Sequence, residues 1–283
     1  MNPVTLKSKD QALRAEELAP GIVHIQLSNF WARRVGFGAS CYLVDEILID
    51  CGFSNAGVVL TRFLSGRKIK AIYCTHNHED HTGNCGRLAE KLGCPVYLRN
   101  PDKRWEEGVA RLLPYRRLSW GKPDDYLAQE MPARISTGRR ELMVIPTPGH
   151  SRTHVVFFEE TLGLLFAGDL YVSGSASAIM TYENPYDSIV SLRTAAGLGA
   201  RLMLNGHGLV TDDVSRRLRE KADRIESAAG QVVKLHTQGL STRQILRRVF
   251  ANGHLKDWLM STITNGEFSR TNFVRACIQA DQS

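Results

Sequence analysis

Residues 75–81 read "THNHEDH": three histidines and an aspartate within six consecutive positions, directly after the apolar run "AIYC" (71–74). A short apolar run opening into polar residues reads as a buried strand followed by a loop. That loop is either a solvated connection or half of a metal site. Imidazole nitrogen and carboxylate oxygen both suit zinc, iron or manganese. Half a site needs a second half. Three further strand ends carry residues of the same kind: "PGH" ending at His150, "AGD" ending at Asp169 and "NGH" ending at His207. Strands of one sheet running in the same direction bring their C-terminal loops to one edge, and such loops are where sites usually sit.

The rest of the chain supports a body of strands with helices between them. "GIVHIQL" (21–27) alternates like a strand, and 39–52 reads as a hairpin closed by a glycine turn. Residues 57–65 have helical spacing with Gly66 as a stop, and 82–93 read as a helix ending at Gly93. "PVYL", "RELMVIPTPGH", "THVVFFEE", "GLLFAGD" and "ARLMLNGHG" read as strands, and 185–199 as an amphipathic helix. Residues 99–136 contain Pro101, Pro114, Pro123 and Pro132, with Trp105 and Trp120 between them. They read as short helices and loops, a cap-like insertion. After Val210 the β pattern stops and three stretches have helical spacing. The expected organisation is a catalytic domain over 1–210 and a helical region over 211–283.

Bulk properties narrow the classes. The N-terminus is charged and lacks the apolar core of a secretory signal, and no apolar run approaches the roughly 18 residues a membrane helix needs. A cytoplasmic protein with no membrane partner is expected. The six cysteines show no CxxC spacing, so they read as free thiols. The net charge of +7 sits mostly in the tail. Residues 215–283 hold 12 Lys and Arg against 6 Asp and Glu, while the first 214 hold 24 against 23. A basic tail can attract phosphates, but Arg243, Arg247 and Arg248 read first as a solvated face or a homodimer contact. Trp105, Tyr115, Trp120, Tyr171 and Tyr182 could line a pocket or simply pack in a core.

The set "THNHEDH … PGH … AGD … NGHG", preceded by "LIDCG" (48–52), resembles the metallo-β-lactamase-fold hydrolases over about residues 20–210. The resemblance implies an α/β fold, a four-layer αββα sandwich, with a C-terminal helical or winged-helix-like addition. It also implies a ligand set. His76, His78 and His150 would hold one divalent ion; Asp80, His81 and His207 would hold a second; Asp169 would bridge them. Asp80 and Asp169 are then the carboxylates on which catalysis turns. Seven donors exceed what one tetrahedral ion uses, so two ions are expected, zinc first, iron or manganese otherwise. Between them a hydroxide would be the nucleophile.

Neighbouring residues carry weaker expectations. Asp50 matches the family's acidic position that orients a loop or a histidine. His154 reads as packing, Glu79 as solvent-facing, and neither Cys51 nor Cys74 matches a ligand position. Where many true β-lactamases use a cysteine this chain has Asp169, so antibiotic hydrolysis is not favoured. His78 stands where oxygen-reducing relatives have glutamate. Glyoxalase II shares the ligands, but its glutathione-binding stretch is not visible after Asp169. The expected function is hydrolysis of a small ester, thioester or lactone. The alternatives are a metal-dependent phosphodiesterase or ribonuclease using the basic tail, with nucleic acid as a less favoured partner, and a metal-binding sensor without turnover.

Overall fold

In the computed structural model, residues 4–6, 12–30, 38–103, 112–175, 178–250 and 254–281 are described. Trp105 lies outside them. Eight strands pair in chain order to form the first sheet: β1 (Val4–Leu6), β2 (Leu13–Ala19), β3 (Ile22–Leu27), β4 (Ala39–Val44), β5 (Ile47–Ile49), β6 (Ala71–Tyr73), β7 (Val96–Leu98) and β8 (Ala128–Glu130). The first five are antiparallel, as short connections permit. The β4–β5 turn is made by Asp45 and Glu46, with Asp45 at φ +52, a left-handed conformation that aspartate tolerates better than most residues. From β5 onward the pairing is parallel, which requires crossover connections. Helix α1 (Gly57–Leu64) makes the first. The second contains a four-residue helix, α2 (Glu79–Thr82), followed by α3 (Cys85–Leu92). Gly93 ends α3 at φ +62, the left-handed cap expected of it.

The side-chain period of 2 decides what each face touches. Leu43 and Leu48 join Leu60 and Leu64 of α1 and Leu88 of α3 in one core. Their neighbours Tyr42, Val44, Ile47 and Ile49 point the other way, into a second core. That core is shared with the second sheet: β9 (Arg134–Ser136), β10 (Glu141–Pro146), β11 (Val155–Glu159), β12 (Leu164–Gly168), then β14 (Leu202–Asn205) and β15 (Val210–Thr211). Phe157, Phe166 and Leu204 fill it from that side, with essentially no exposure. Each such side chain contributes about 1.5–3 kcal/mol by leaving water. In this sheet β12 and β14 are the parallel pair. The two parallel pairs therefore each deliver adjacent strand ends to one edge: Asp50 and residues 75–81 from β5 and β6, Asp169 and His207 from β12 and β14.

Two compact units are present. Both sheets lie in the first, which takes the chain up to Pro146, then Thr153–Val172 and Ala200–Asp212. The second takes the chain from Asp213 onward together with Thr147–Arg152 and Ser173–Gly199. Within it, β13 (Ile179–Met180) pairs antiparallel with β16 (Phe268–Ser269). Asn184 caps the next helix, Pro185–Ala196, by accepting from the N–H groups of Tyr186 and Asp187. The long helix Val214–Thr237 buries Val214, Leu218, Ala222, Ile225, Ala229 and Val232, a stripe at 3–4-residue spacing. Helices Thr242–Val249, His254–Ile263 and Arg270–Asp281 follow. No helix among the described residues is long and apolar enough to cross a membrane.

The structure departs from the sequence reading at several strands, among them β16, which lies beyond Val210, where the sequence reading ends the β pattern. Residues 13–19, read from the sequence only as part of a charged N-terminus, form β2: Leu13 and Ala15 are buried while Arg14 faces out. The 99–136 stretch is not helices and loops alone. It supplies β8 at the end of the first sheet and β9 at the start of the second.

Candidate metal centre

The loop after β6 is pinned before it reaches its first histidine. Asp50, just past β5, accepts the Thr75 N–H at 2.7 Å and the Thr75 hydroxyl at 2.8 Å. The Thr75 carbonyl accepts the Val155 N–H of the second sheet at 2.8 Å. The next residue, His76, is fully buried. Its Nε2 lies 3.0 Å from Nδ1 of His78, two ring nitrogens turned toward one point. Asn77, between them, is held by Thr153. Its N–H donates to Oγ1 at 3.2 Å, and its Oδ1 accepts from that hydroxyl at 3.1 Å.

Helix α2 then presents Asp80 and His81. Asp50 Oδ2 lies 2.8 Å from His81 Nδ1, which places a proton on that nitrogen and frees Nε2 as a donor. His81 Nε2 is buried and makes no hydrogen bond. It lies 3.3 Å from Asp169 Oδ1 and 3.9 Å from Asp80 Oδ2. His207 repeats the arrangement. Its Nδ1 donates to the Gly38 carbonyl at 2.7 Å, and its Nε2 lies 3.1 Å from Asp169 Oδ2 and 3.8 Å from Asp80 Oδ2. Two overlapping groups of ligand atoms result, each within 4.8 Å: His76, His81 and Asp169, and Asp80, His81 and His207. A buried imidazole nitrogen facing carboxylates with no hydrogen bond of its own is the signature of a place for a cation. The donor set of imidazole and carboxylate fits a divalent ion.

Electrostatics agree. Burial alone would push His81 down, but the carboxylates of Asp169, Asp50 and Asp80 hold it well above the usual histidine range. Burial opposes ionisation of Asp169, yet His207 and His81 hold its carboxyl well below the usual range. The pocket is built for positive charge among carboxylates.

The backbone makes room for this crowding. A Cβ on Gly206 would stand 2.6 Å from Asp169 Oδ1 and would overlap the His81 ring. Asn205, buried before it, accepts the His207 and Leu209 N–H groups at 2.9 and 2.8 Å and donates to the Tyr171 carbonyl at 2.8 Å. The sequence reading passed over Asn205, although it stands inside the quoted "NGHG". His154, expected to be packing, accepts the Asp169 N–H on Nε2 at 3.1 Å, so it fixes the backbone of the bridging candidate. His150 lies in the second unit. There its Nδ1 is 3.4 Å from Glu183 Oε1.

One expectation is overturned. Glu79 is not solvent-facing; it is 1% exposed and forms a two-pronged ion pair with Arg116, at 2.5 and 2.6 Å. Arg116 sits on helix α4 (Pro114–Trp120), inside the 99–136 stretch, and is itself buried. A buried carboxylate stays ionised only with such a partner, and breaking a pair of this kind typically costs about 3–5 kcal/mol. The thiols of Cys51, Cys74 and Cys85 are buried nearby but turn to one another, with Cys85 Sγ 3.3 Å from Cys51 Sγ and 3.5 Å from Cys74 Sγ.

The match to known families is decided by the model of the metallo-beta-lactamase superfamily, which fits residues 34–207. The chain belongs to the metallo-β-lactamase superfamily. Its similarity to individual superfamily members is distant. It is 29% identical to the uncharacterized protein YobT of Bacillus subtilis, over 65% of this chain and 89% of that one. It is 26% identical to an atrochrysone carboxyl ACP thioesterase of Aspergillus fumigatus, over 76% of this chain and 61% of that one. The chain spans less than two thirds of the length of several fungal relatives. A beta-lactamase domain protein from Burkholderia ambifaria has the same fold, with a TM-score of 0.72 at 18% identity, over 98% of this chain and 91% of that one. The metallo-β-lactamase fold expected from the motifs is therefore the fold observed, with helices following it.

The superfamily match, with relatives that include a probable metallo-hydrolase of Bacillus subtilis, makes the chain a hydrolase, and the Asp50 contacts make a first prediction. Asp50→Asn keeps the shape but loses the charge that holds the His81 Nδ1 proton. Metal affinity should fall by about 10–100-fold, the usual effect of removing such a support. Competition with a chromophoric chelator measures it.

Proposed function

We propose that the chain is a dinuclear metal-dependent hydrolase of a small ester, thioester or lactone. The observation that carries this reading is the overlap of two donor groups at His81, more donors than one tetrahedral ion uses. In this reading His76, His78 and His150 would hold one ion, Asp80, His81 and His207 would hold the other, and Asp169 would serve both. Zinc is the ion proposed; iron and manganese share the donor chemistry. Bound ions supply Lewis-acid polarisation of a carbonyl and a lowered pKa for water. The chain's own residues do the positioning. Asp50 and the Gly38 carbonyl hold the outer ring protons of His81 and His207, so both Nε2 atoms face inward, and His154 holds Asp169 through its backbone.

The thioesterase relative supports carbonyl chemistry, and the reading includes a small-molecule substrate and a cytoplasmic location. The phosphodiesterase alternative relies on the basic tail. Part of that charge is already matched: Arg216 pairs with Asp213 and Glu220, and Arg224 with Glu220. The test is a panel of p-nitrophenyl esters, thioesters, lactones, bis-p-nitrophenyl phosphate and single-stranded RNA, on wild type and on a triple variant with Arg243, Arg247 and Arg248 changed to Gln. Turnover of esters or thioesters that is indifferent to the arginines is expected. A preference for RNA that collapses in the triple variant would reverse the ranking.

A further inference from the structure

We propose that Glu79 and Arg116 are positioning residues for the Asp80, His81 and His207 group, and that retention of an ion there depends on helix α4. The inference rests on the metal reading above and adds to it a residue pair outside the ligand motifs.

Helix α2 has four residues. A single turn is not stable by itself, because its nucleation is unfavourable, and its N-cap position, His78, offers no capping side-chain bond. It must be held from outside. Its C-terminal end is tied to the end of β5: the Cys51 N–H donates to the His81 carbonyl at 2.8 Å, and Asp50 holds the His81 ring. Its N-terminal end carries Glu79, whose carboxylate is gripped on both oxygens by Arg116. A bidentate guanidinium–carboxylate pair fixes orientation as well as distance. Asp80 and Glu79 are adjacent in the chain yet have separate partners. Asp80 Oδ2 is 3.8 Å from His207 Nε2, while Glu79 is committed to Arg116. The pair thus sets the rotation of the turn that aims Asp80. It also keeps a second buried carboxylate, one residue from a candidate ligand, from competing for the ion. Because Arg116 belongs to α4, the 99–136 stretch is mechanically connected to ligand geometry.

The test uses the full chain and four variants: Glu79→Gln, Arg116→Gln, Arg116→Lys and the double variant Glu79→Gln with Arg116→Met. Zn2+ stoichiometry and affinity are measured by chelator competition, the thermal midpoint on metal-free protein, and kcat and KM on the best substrate of the panel. Both single neutral variants should weaken one of two Zn2+ sites by about 10–100-fold, lowering kcat with KM within about twofold. Arg116→Lys keeps the charge and should restore part of the affinity. The double variant removes both buried charges, so its metal-free thermal midpoint should return toward wild type while Zn2+ affinity stays low. That split separates positioning from simple stabilisation, and it remains readable if a single variant fails to fold. Unchanged Zn2+ affinity in the double variant, or affinity that tracks the thermal midpoint in every variant, overturns the proposal. Wild-type protein that binds no Zn2+, Mn2+ or Fe2+ overturns the metal reading beneath it, a result visible before any variant is made.

Discussion

Asp169→Asn should reduce kcat/KM by on the order of 10³-fold or more, beyond the 10–100-fold typical of residues that only support ligands. Asp169 approaches both imidazoles more closely than Asp80 does: Oδ1 lies 3.3 Å from His81 Nε2 and Oδ2 lies 3.1 Å from His207 Nε2. Asparagine keeps the size but replaces one acceptor oxygen with an NH2 group, which would point its hydrogens at a donor nitrogen or a cation. It also removes the charge that, with Asp50 and Asp80, offsets the burial of His81. Metal content should fall with activity, as measured by elemental analysis of purified protein. Full activity at full metal content would remove Asp169 from the bridging role.

Gly206→Ala should be nearly as damaging without replacing any donor residue. The added methyl would overlap the His81 ring and stand 2.6 Å from Asp169 Oδ1. Neither neighbour can yield easily. His81 is clamped by Asp50 on its far nitrogen, and the Asp169 backbone is held by His154. Gly206 itself is fixed at both peptide groups, donating to the Gly168 carbonyl at 2.8 Å and accepting the Ser40 N–H at 2.7 Å. We expect at least a 10²-fold loss of kcat/KM, in line with the effect of misplacing reactive groups by about 1 Å. Far-ultraviolet circular dichroism should be close to wild type, because both sheets pack away from this edge. A variant with wild-type metal affinity and turnover would show that the loop relaxes freely.

Most of the candidate site was legible because its information is local. The spacing inside 75–81, and the habit of ending a strand in Gly followed by His or Asp, are visible without knowing any contact. Six of the seven residues so marked meet in the first unit, and they meet because β5 with β6, and β12 with β14, run parallel. What was not legible depends on distant partners. Glu79 looked solvent-facing because its polar neighbours suggested an open loop, and Arg116, 37 positions later, carries no local mark of its target. His154 looked like packing because an imidazole accepting a backbone N–H leaves no pattern in sequence. Strands β2, β8 and β9 were missed for another reason. They are short or polar on one face, and β8 and β9 stand at sheet edges, which do not demand the apolar runs that identify buried strands.

The placement of the donors has a consequence for folding. Asp80 and His81 follow a strand of the first sheet, while Asp169 and His207 follow strands of the second. A cation gripped by all four would act as a removable cross-link between the two halves of the sandwich, joining segments up to 127 positions apart in the chain. Its binding free energy would then count toward holding the sheets together. Ion supply during synthesis would set how much of this chain reaches its closed form, besides setting how fast it works.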